Sequence, residues 1–376
     1  GKGITESTPF ELKIVKKSEF HLDAIEKAKR IDAEARIAWE NQLAAWKLSA
    51  KWQSEGTGKE EDPVWREMVD AQSLSIRAAR AMDMFLRDLV ETYEQNDMSR
   101  EFMSGRLNVI GECVSRVVSD LQPKVDTSIR EAEPQSAAEA MAGALAAKRK
   151  AAAEKFRDNQ KLSVLYLERA LKKLFDWRDL QITTVRTTLL HEEQDAVLTL
   201  TEEIAPRFLG AEKEDLADED VKALITLGKR QQTLFDIETE LEAQLVFMKS
   251  KAQKQDRTSI QAPLDAAYKV LRQRRVNDDL KKAARFIANN QPYQIVKNQK
   301  AALQALDVVK GGLIVAGQKV DPDAPIELAM TPTDALGQVI VEGEQVAEAE
   351  PEPGEGPDGV SGDTRELTPE ELLAAL

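Results

Sequence analysis

The sequence predicts an all-α protein: an elongated antiparallel helical bundle or coiled-coil rod, with a short N-terminal β-strand and a disordered acidic C-terminal tail. Two observations lead to this prediction. Apolar residues recur at alternating steps of three and four over long stretches between residues 18 and 310, which is the spacing of a coiled-coil seam. The stretches are separated by short loops, and long amphipathic helices joined by short loops pack antiparallel.

Residues 1–17 are expected to be the end of a β domain that lies upstream. Phe10, Leu12 and Ile14 alternate with polar residues, which is the period of a half-buried strand. One strand of this length is not stable alone and needs partner strands. The chain opens with Gly1, and residues 367–376 begin a helix that stops in its second turn. We therefore expect an interior part of a longer protein.

Residues 18–135 are predicted to form a three-helix segment. The first helix begins at Ser18 and ends near Gln53, and Pro63 suits the first position of the second. The third covers residues 98–132, and Pro123 is expected to bend it. The clearest seam of the chain lies in the second helix and comprises Met68, Ala71, Ser75, Ala78, Met82, Phe85 and Leu89. The third helix should bury Leu107, Ile110, Val114, Val117 and Leu121.

Residues 136–258 are predicted to form a long helical pair. An alanine-rich stretch, residues 137–153, has high helix propensity but little to bury, and it leads into a helix that ends near Pro206. Its seam contains Leu167, Ala170, Leu174 and Trp177. Asp218 is expected to cap the second helix, in which Leu227, Leu234, Leu241 and Met248 recur every seven residues. Gln231 and Glu238 occupy alternate seam positions, a polar content typical of a moderate bundle.

Residues 259–312 are predicted to form a helical hairpin. Pro263 and Pro292 should each begin a helix, and Gly311 with Gly312 should end the second one as a C-terminal cap. Residues 313–339 are interpreted as an irregular connector in which 313–316 form a short strand or packed turn. Residues 340–366 carry too few apolar side chains to offset the entropy of ordering and are predicted to be a disordered acidic linker.

The negative charge of the chain is concentrated at its C-terminal end. The 376 residues carry 52 Lys and Arg against 66 Asp and Glu, a formal charge of −14. Residues 341–376 contain eleven acidic residues and one basic residue, which leaves −4 for the first 340. This balance argues against a basic nucleic-acid-binding protein. One cysteine argues against a disulfide-stapled secreted module. The sequence lacks a run of about 18 apolar residues, which argues against a membrane-embedded chain.

Few residues of the chain are of the types that perform chemistry. His21 and His191 are the two histidines and Cys113 the one cysteine, which is too few for most zinc sites. Neither histidine follows a glutamate by three positions, as a di-metal helical bundle requires. Carboxylates remain open as ligands of Mg²⁺ or Ca²⁺. Cys113 lies on an apolar helix face and is expected to be buried. We predict no catalytic, cofactor-binding or metal-binding residue and no small-molecule substrate.

Other motifs also have ordinary structural explanations. Residues 312–319 contain two glycines and a lysine but not the order that a phosphate-binding loop requires. The pairs Glu202–Glu203 and Asp278–Asp279 are interpreted as solvated helix surface. The basic runs 148–150 and 272–275 are interpreted likewise, and contact with anionic lipid or with the acidic tail is the alternative.

The candidate partner-binding residues are tryptophans and one leucine on apolar helix faces. They comprise Trp39, Leu43, Trp46, Trp65 and Trp177. Core packing is the ordinary interpretation of such residues, and an exposed groove for a partner helix is the alternative.

Part of the sequence resembles a known class of protein. The segments 264–271, 283–290 and 299–306 are similar to helical regions of very large envelope proteins of Planctomycetes-type bacteria, in which an alanine-rich amphipathic turn and an Asn precede a second helix. Residues 9–15 also resemble the last strand of the β-sandwich that precedes their coiled-coil region. The resemblance implies a protein anchored in a membrane through a segment outside this chain, and it assigns no functional residue.

Two functional hypotheses follow. The first is a non-enzymatic structural or scaffold rod of a bacterial envelope protein, on the periplasmic side if the chain is an interior part. Its partners would be proteins or further copies of itself, met through helix packing, and not nucleic acid. The second is a regulatory or adaptor module that binds a protein partner through an exposed apolar groove and is tuned by the acidic tail.

Overall fold

The computed structural model describes residues 17–55, 63–99, 103–132, 143–208, 216–254 and 257–318. All regular structure in these ranges is helical, which confirms the all-α prediction for this part of the chain. The predicted strand of residues 8–16, the acidic linker 340–366 and the helix start 367–376 lie outside the described residues.

Within the described ranges the chain forms a series of helices. They are α1 (Lys17–Glu55), α2 (Pro63–Gln95), α3 (Ser104–Arg116), a π-helical turn (Val117–Leu121), α4 (Gln122–Ala132), α5 (Gly143–Phe208), α6 (Asp218–Lys254), α7 (Thr258–Arg274), α8 (Val276–Ala288) and α9 (Pro292–Gln318). The segments α3, π turn and α4 form one continuous helix.

Two helical bundles share the central helix α5. In the first bundle α1, α2 and α3–α4 pack with the N-terminal half of α5, and in the second α6, α7–α8 and α9 pack with its C-terminal half. Contacts between α1 and α5 join Gln53 to Arg157 and Asp32 to Arg178, so these two helices are antiparallel. The helices α6 and α9 also run antiparallel to α5, as the bonds in the next subsection show.

The apolar seams predicted from helical spacing form the cores of both bundles. In α2, six of the seven predicted seam residues are buried, and Leu86 is buried while its neighbour Phe85 is only partly covered. Every predicted seam position of α6 is buried, the polar Gln231 and Glu238 included. These positions follow from sequence because an apolar stripe at this spacing has to face other helices.

The long helix that contains Pro123 continues through the proline. Met103 has a left-handed backbone and the helix begins after it, and the irregularity is the π turn immediately before Pro123. The N–H of Gln122 reaches back five residues to the carbonyl oxygen of Val117. A π turn absorbs one extra residue without ending a helix, so the chain continues into α4.

The prediction of one helix over residues 263–289 is wrong in two respects: the helix begins earlier, and the segment forms two helices. α7 begins at Thr258, because contacts of Arg257 and Ser259 with α5 hold its first turn ahead of Pro263. It ends at Arg274, and the next residue, Arg275, has a left-handed φ of 55° that separates α7 from α8. The predicted hairpin is therefore three helices.

The predicted end of the last helix at Gly311 and Gly312 is also wrong, since α9 continues to Gln318 and includes the expected strand or turn of residues 313–316. Two tertiary contacts account for the extension. Arg106 of α3 donates to the carbonyl oxygens of Ala316 and Gly317 at 3.2 and 2.8 Å, which supplies partners at the helix C-terminus. Gly317 lies against the side chain of Met103, which leaves no room for a Cβ at this position.

Candidate functional site

The strongest concentration of buried charge lies where the two bundles meet, halfway along α5. Arg257, immediately before α7, donates from Nη1 to Asp179 Oδ2 at 2.8 Å and from Nε to Asp176. Ser259 donates its hydroxyl to the other oxygen of Asp176. The side chains of Arg257 and Asp179 are 6% and 7% exposed. We name Asp176, Asp179, Arg257 and Ser259 the junction cluster.

A second set of charges adjoins the junction cluster from the side of α1. Arg178 Nη1 lies 3.1 Å from Asp32 Oδ2, and its Nη2 lies 3.6 Å from Asp179. The guanidinium groups of Arg36 and Arg178 both lie over the ring of Phe175, at 4.9 and 5.1 Å from its centre. Asp179 therefore faces one arginine from α5 itself and one from the start of α7, while Asp32 connects α5 to α1.

The groups at this junction are arranged to hold helices together. Each of the two α5 aspartates accepts a bond from Arg257, which is the pattern of a structural ion pair. A catalytic carboxylate or nucleophile needs a cleft in which a substrate can reach it. Burial and mutual pairing connect α5 to the start of α7, at the level where Arg178 meets Asp32 of α1.

A layer of glutamines crosses the core of the first bundle. Gln42 of α1 and Gln72 of α2 exchange amide hydrogen bonds of 3.1 and 3.0 Å. Gln160 of α5 donates to the same oxygen of Gln72 at 2.9 Å, and Ser75 donates to Gln42 at 3.1 Å. All four side chains are buried. The layer thus connects three helices through polar groups that pair only in one register.

The second bundle contains a matching layer. Gln231 of α6 donates to Gln194 of α5 at 2.9 Å, and Gln299 of α9 donates to Gln231 at 2.8 Å. Gln299 also donates to Thr201 of α5 at 3.0 Å. Both layers contain one glutamine from α5 and one from each of two neighbouring helices. A buried polar layer of this kind specifies helix register, as a single buried Asn does in coiled coils.

Gln122 of α4 is the fourth glutamine in the core of the first bundle. Its neighbours Leu121 and Val125 belong to the apolar clusters that contain Val164 and Phe156 of α5, which places Gln122 level with Gln160. Gln122 is buried, and neither of its amide atoms has a hydrogen-bond partner among the described residues. A buried amide in this situation lowers stability.

The second bundle also buries an ionisable group, Glu238 of α6. Burial, with Glu242 one turn away as a further cause, raises the pKa of Glu238 to about 8. Asn277 of α8 donates to Glu238 at 2.8 Å, which partly opposes the rise. Arg272 of α7 lies 3.4 Å from Glu242. The folded protein therefore favours the protonated carboxyl of Glu238 at neutral pH.

The structure places the predicted partner-binding residues against helices of the same chain. Trp39, Trp46 and Trp177 are buried, and Leu43 is partly buried beside the cluster of Trp39 and Trp46. Trp65 is partly buried with its ring 4.7 Å from that of Trp52. These residues pack in the core, and a partner would reach the three buried tryptophans only if the helices separated.

The large apolar side chains that are exposed belong to other positions. Phe247 of α6 is 62% exposed and Tyr293 of α9 is 81% exposed. Tyr293 borders a groove between α5 and α9 to which Ala205, Pro206 and Val296 contribute. Sequence reasoning did not single out these residues.

The cysteine, the histidines and the paired carboxylates are the residues considered as possible catalytic or metal-binding groups. Cys113 is buried in the first bundle, as predicted. His191 is mostly covered and lies 3.8 Å from Asp307; burial and nearby Lys310 lower its pKa. Glu202 pairs with Lys300 at 2.7 Å. The side chain of His21 lies outside the described residues.

The described ranges contain neither a metal-ligand cluster nor a membrane-spanning helix. No three His, Cys, Asp or Glu side chains of those residues lie together as ligands for a metal ion. Among the same residues, no helix combines the length and the apolar character that crossing a bilayer would demand.

Comparison with known proteins gave no match: no family model, no curated protein and no solved structure is similar to the chain. The resemblance to planctomycete-type envelope proteins therefore stays a prediction.

Proposed function

We propose that this chain is a non-enzymatic structural segment, a helical rod that holds its two ends at a fixed separation within a larger envelope protein. The observation that supports the proposal is the continuity of α5. Its 66 residues correspond to a length of about 100 Å, and it contributes to the core of both bundles. A helix packed in this way along its length resists bending, because bending would separate seams on either side of the junction.

Three polar features reinforce the rod. The junction cluster connects α5 to the start of α7, and the two glutamine layers set the register of the helices around each half of α5. The bond of Arg106 to the end of α9 is a further connection between the bundles. Apolar packing alone allows neighbouring helices to shift along each other. Polar groups that pair in only one arrangement fix a single helix register.

A distance measurement along α5 tests the rod. Spin labels at Lys155→Cys and Glu203→Cys, in a Cys113→Ser background, are 48 residues apart and should be about 72 Å apart if α5 is straight in solution. A control pair, Lys155→Cys with Lys172→Cys, should give about 26 Å within the first half alone. A broad or much shorter distance for the long pair, with the control unchanged, would show a hinge at the junction and contradict the proposal.

The adaptor hypothesis is supported by a different observation, the exposed Tyr293 beside the groove of Ala205, Pro206 and Val296. In this second proposal the groove accepts an apolar helix of a protein partner, with a second copy of the chain as the simplest candidate. Sedimentation equilibrium of the full chain and of Tyr293→Ser tests it. Self-association weakened by the substitution favours the groove, and equal behaviour of both proteins argues against a second copy as its occupant.

The envelope location is proposed from the sequence resemblance. Fractionation of cells that express the complete reading frame, with the chain detected by antibody, is the direct measurement. Recovery with the cell envelope supports the location, and recovery only in the cytoplasmic fraction argues against it.

A further inference from the structure

Charge is distributed along the chain in blocks of opposite sign. Residues 249–319 contain fifteen basic and five acidic side chains, a net charge of +10. Residues 320–376 contain fifteen acidic and one basic side chain, a net charge of −14, so residues 1–248 carry −10. The one strongly basic part of the sequence therefore directly precedes the most acidic part.

The structure places several of these basic groups on one side of α8. Lys281, Lys282 and Arg285 are exposed and lie opposite the buried side of the helix, which carries Leu280, Ala283 and Ile287. Arg274, at the end of α7, is exposed as well. We name Arg274, Lys281, Lys282 and Arg285 the basic face.

The charges of the basic face are only partly compensated by neighbours. Lys281 lies 5.5 Å from the centre of the Phe235 ring. Burial raises the pKa of Asp279, and nearby Lys282 partly opposes this rise. Asp278, on the same side of α8, is paired with Arg275 at 2.6 Å. Within the described part of the chain, no carboxylate lies within salt-bridge distance of Arg274 or Arg285. The face therefore presents positive charge to an anionic partner.

The acidic segment is near enough to be that partner. α9 is antiparallel to α5, and Asp307 lies beside His191, so the end of α9 eleven residues later is level with about residue 180 of α5. Arg257 meets Asp179 at the same level, and α7 begins there. From this point the far end of the basic face is about 40 Å along α7 and α8. The 22 residues from 319 to 340 span up to about 75 Å.

We propose that residues 341–376 dock on the basic face of α8 in the same molecule and shield it from other anions. Exposed ion pairs are individually weak, so the docking consists of several weak contacts and is reversible. Covalent attachment gives the segment a high effective concentration near the face. A free polyanion lacks this advantage and is also repelled by the overall charge of −14. The proposal does not depend on the structural role proposed above.

Carbodiimide cross-linking of the full chain tests the contact, because this reagent joins a lysine to a carboxylate only when the two touch. We expect Lys281 and Lys282 to couple to acidic residues of 341–376 at least fivefold more often than Lys47 and Lys51, which are exposed on α1. The excess should disappear in 0.5 M NaCl, where the screening length is about 4 Å. Equal coupling of both lysine pairs would overturn the proposal.

Charge reversal distinguishes docking at the basic face from unspecific electrostatic attraction between the acidic segment and the rest of the protein. Arg274→Glu with Arg285→Glu leaves both reporter lysines in place and should abolish the excess coupling. The matched control, Arg66→Glu with Arg77→Glu on exposed positions of α2, should leave it unchanged. Circular dichroism checks the fold of each variant, and the salt series on the unaltered chain is informative even if one variant fails to fold. Coupling that rises with protein concentration would show docking between molecules and overturn the proposal for a single chain.

Discussion

The two bundles use polar residues differently. In the first bundle the described buried polar side chains are uncharged apart from Glu168, which pairs with Lys172. The junction and the second bundle bury Asp179, Arg257 and Glu238. Both bundles contain a glutamine layer, so the two bundles share a means of setting helix register. They differ in buried charge, and we therefore expect them to differ in their response to pH. The difference indicates that alkali acts first on the second bundle, through Glu238.

Breaking the ion pairs of the junction should have the largest effect. Arg257→Met removes the cation bonded to Asp176 and leaves Asp179 facing the more distant Arg178, and removing one partner of a buried pair lowers the free energy of unfolding by about 3–5 kcal/mol. Urea unfolding followed by circular dichroism measures the change. Arg116→Met, which removes an exposed pair with Asp120, is the control and should change stability by less than about 1 kcal/mol.

A rescue variant shows whether unpaired charge is the cause. Asp176→Asn and Asp179→Asn added to Arg257→Met remove the buried negative charges, so most of the lost stability should return. If the triple variant is as unstable as Arg257→Met alone, the effect belongs to packing and the junction cluster does not act through its charges.

The second prediction concerns the pH response that distinguishes the bundles. The folded chain holds a proton on Glu238 up to about pH 8, whereas the unfolded chain releases it near the ordinary pKa of 4.5. Stability from this group is therefore full below pH 4.5 and falls as the pH rises to about 8, by about 2–4 kcal/mol between pH 5 and 8. Glu238→Gln keeps the bond to Asn277 without a titrating group, so its unfolding free energy should be flatter over this range.

A control in the first bundle sharpens this comparison. Glu40→Gln changes an exposed glutamate of α1 and should keep the pH slope of the unaltered protein. Parallel slopes for Glu238→Gln and the unaltered protein would show that Glu238 is not the group responsible. Urea titrations at pH 5, 6.5 and 8 are sufficient for the measurement.

The difference between predictable and unpredictable features is physical. The seams of α2 and α6 could be predicted because burial of an apolar stripe depends on local spacing alone. The junction cluster could not, because Arg257 lies 81 residues from Asp176 and 78 from Asp179, and only the packing of α6 on α5 brings them together. The register between helices decides which residues of different helices form ion pairs, and this register cannot be derived from a single sequence.

The glutamine layers and the true end of α9 were missed for related reasons. Gln231 was recognised at a seam position but interpreted as dilution of the core, since its partners Gln194 and Gln299 are on other helices. Gly311 and Gly312 suggested a helix end, which is the usual position for glycine, but Arg106 stabilises the carbonyl end of α9 six residues later. In both cases a long-range partner overrides a local preference.

The smallest expected effects compare two glutamines of the same core. Gln122→Leu replaces a buried amide that has no partner in the described structure with an apolar side chain of similar size, and should raise the free energy of unfolding by about 1 kcal/mol. Gln72→Leu instead removes the centre of the layer and leaves Gln42 and Gln160 without their bonds, so it should lower stability by about 1–2 kcal/mol. Opposite signs in urea unfolding would show that hydrogen bonding within the layer, not glutamine itself, stabilises the first bundle. If both substitutions stabilised the protein by the same amount, the layer would contribute nothing beyond filling space, and helix register would have to come from the apolar seams alone.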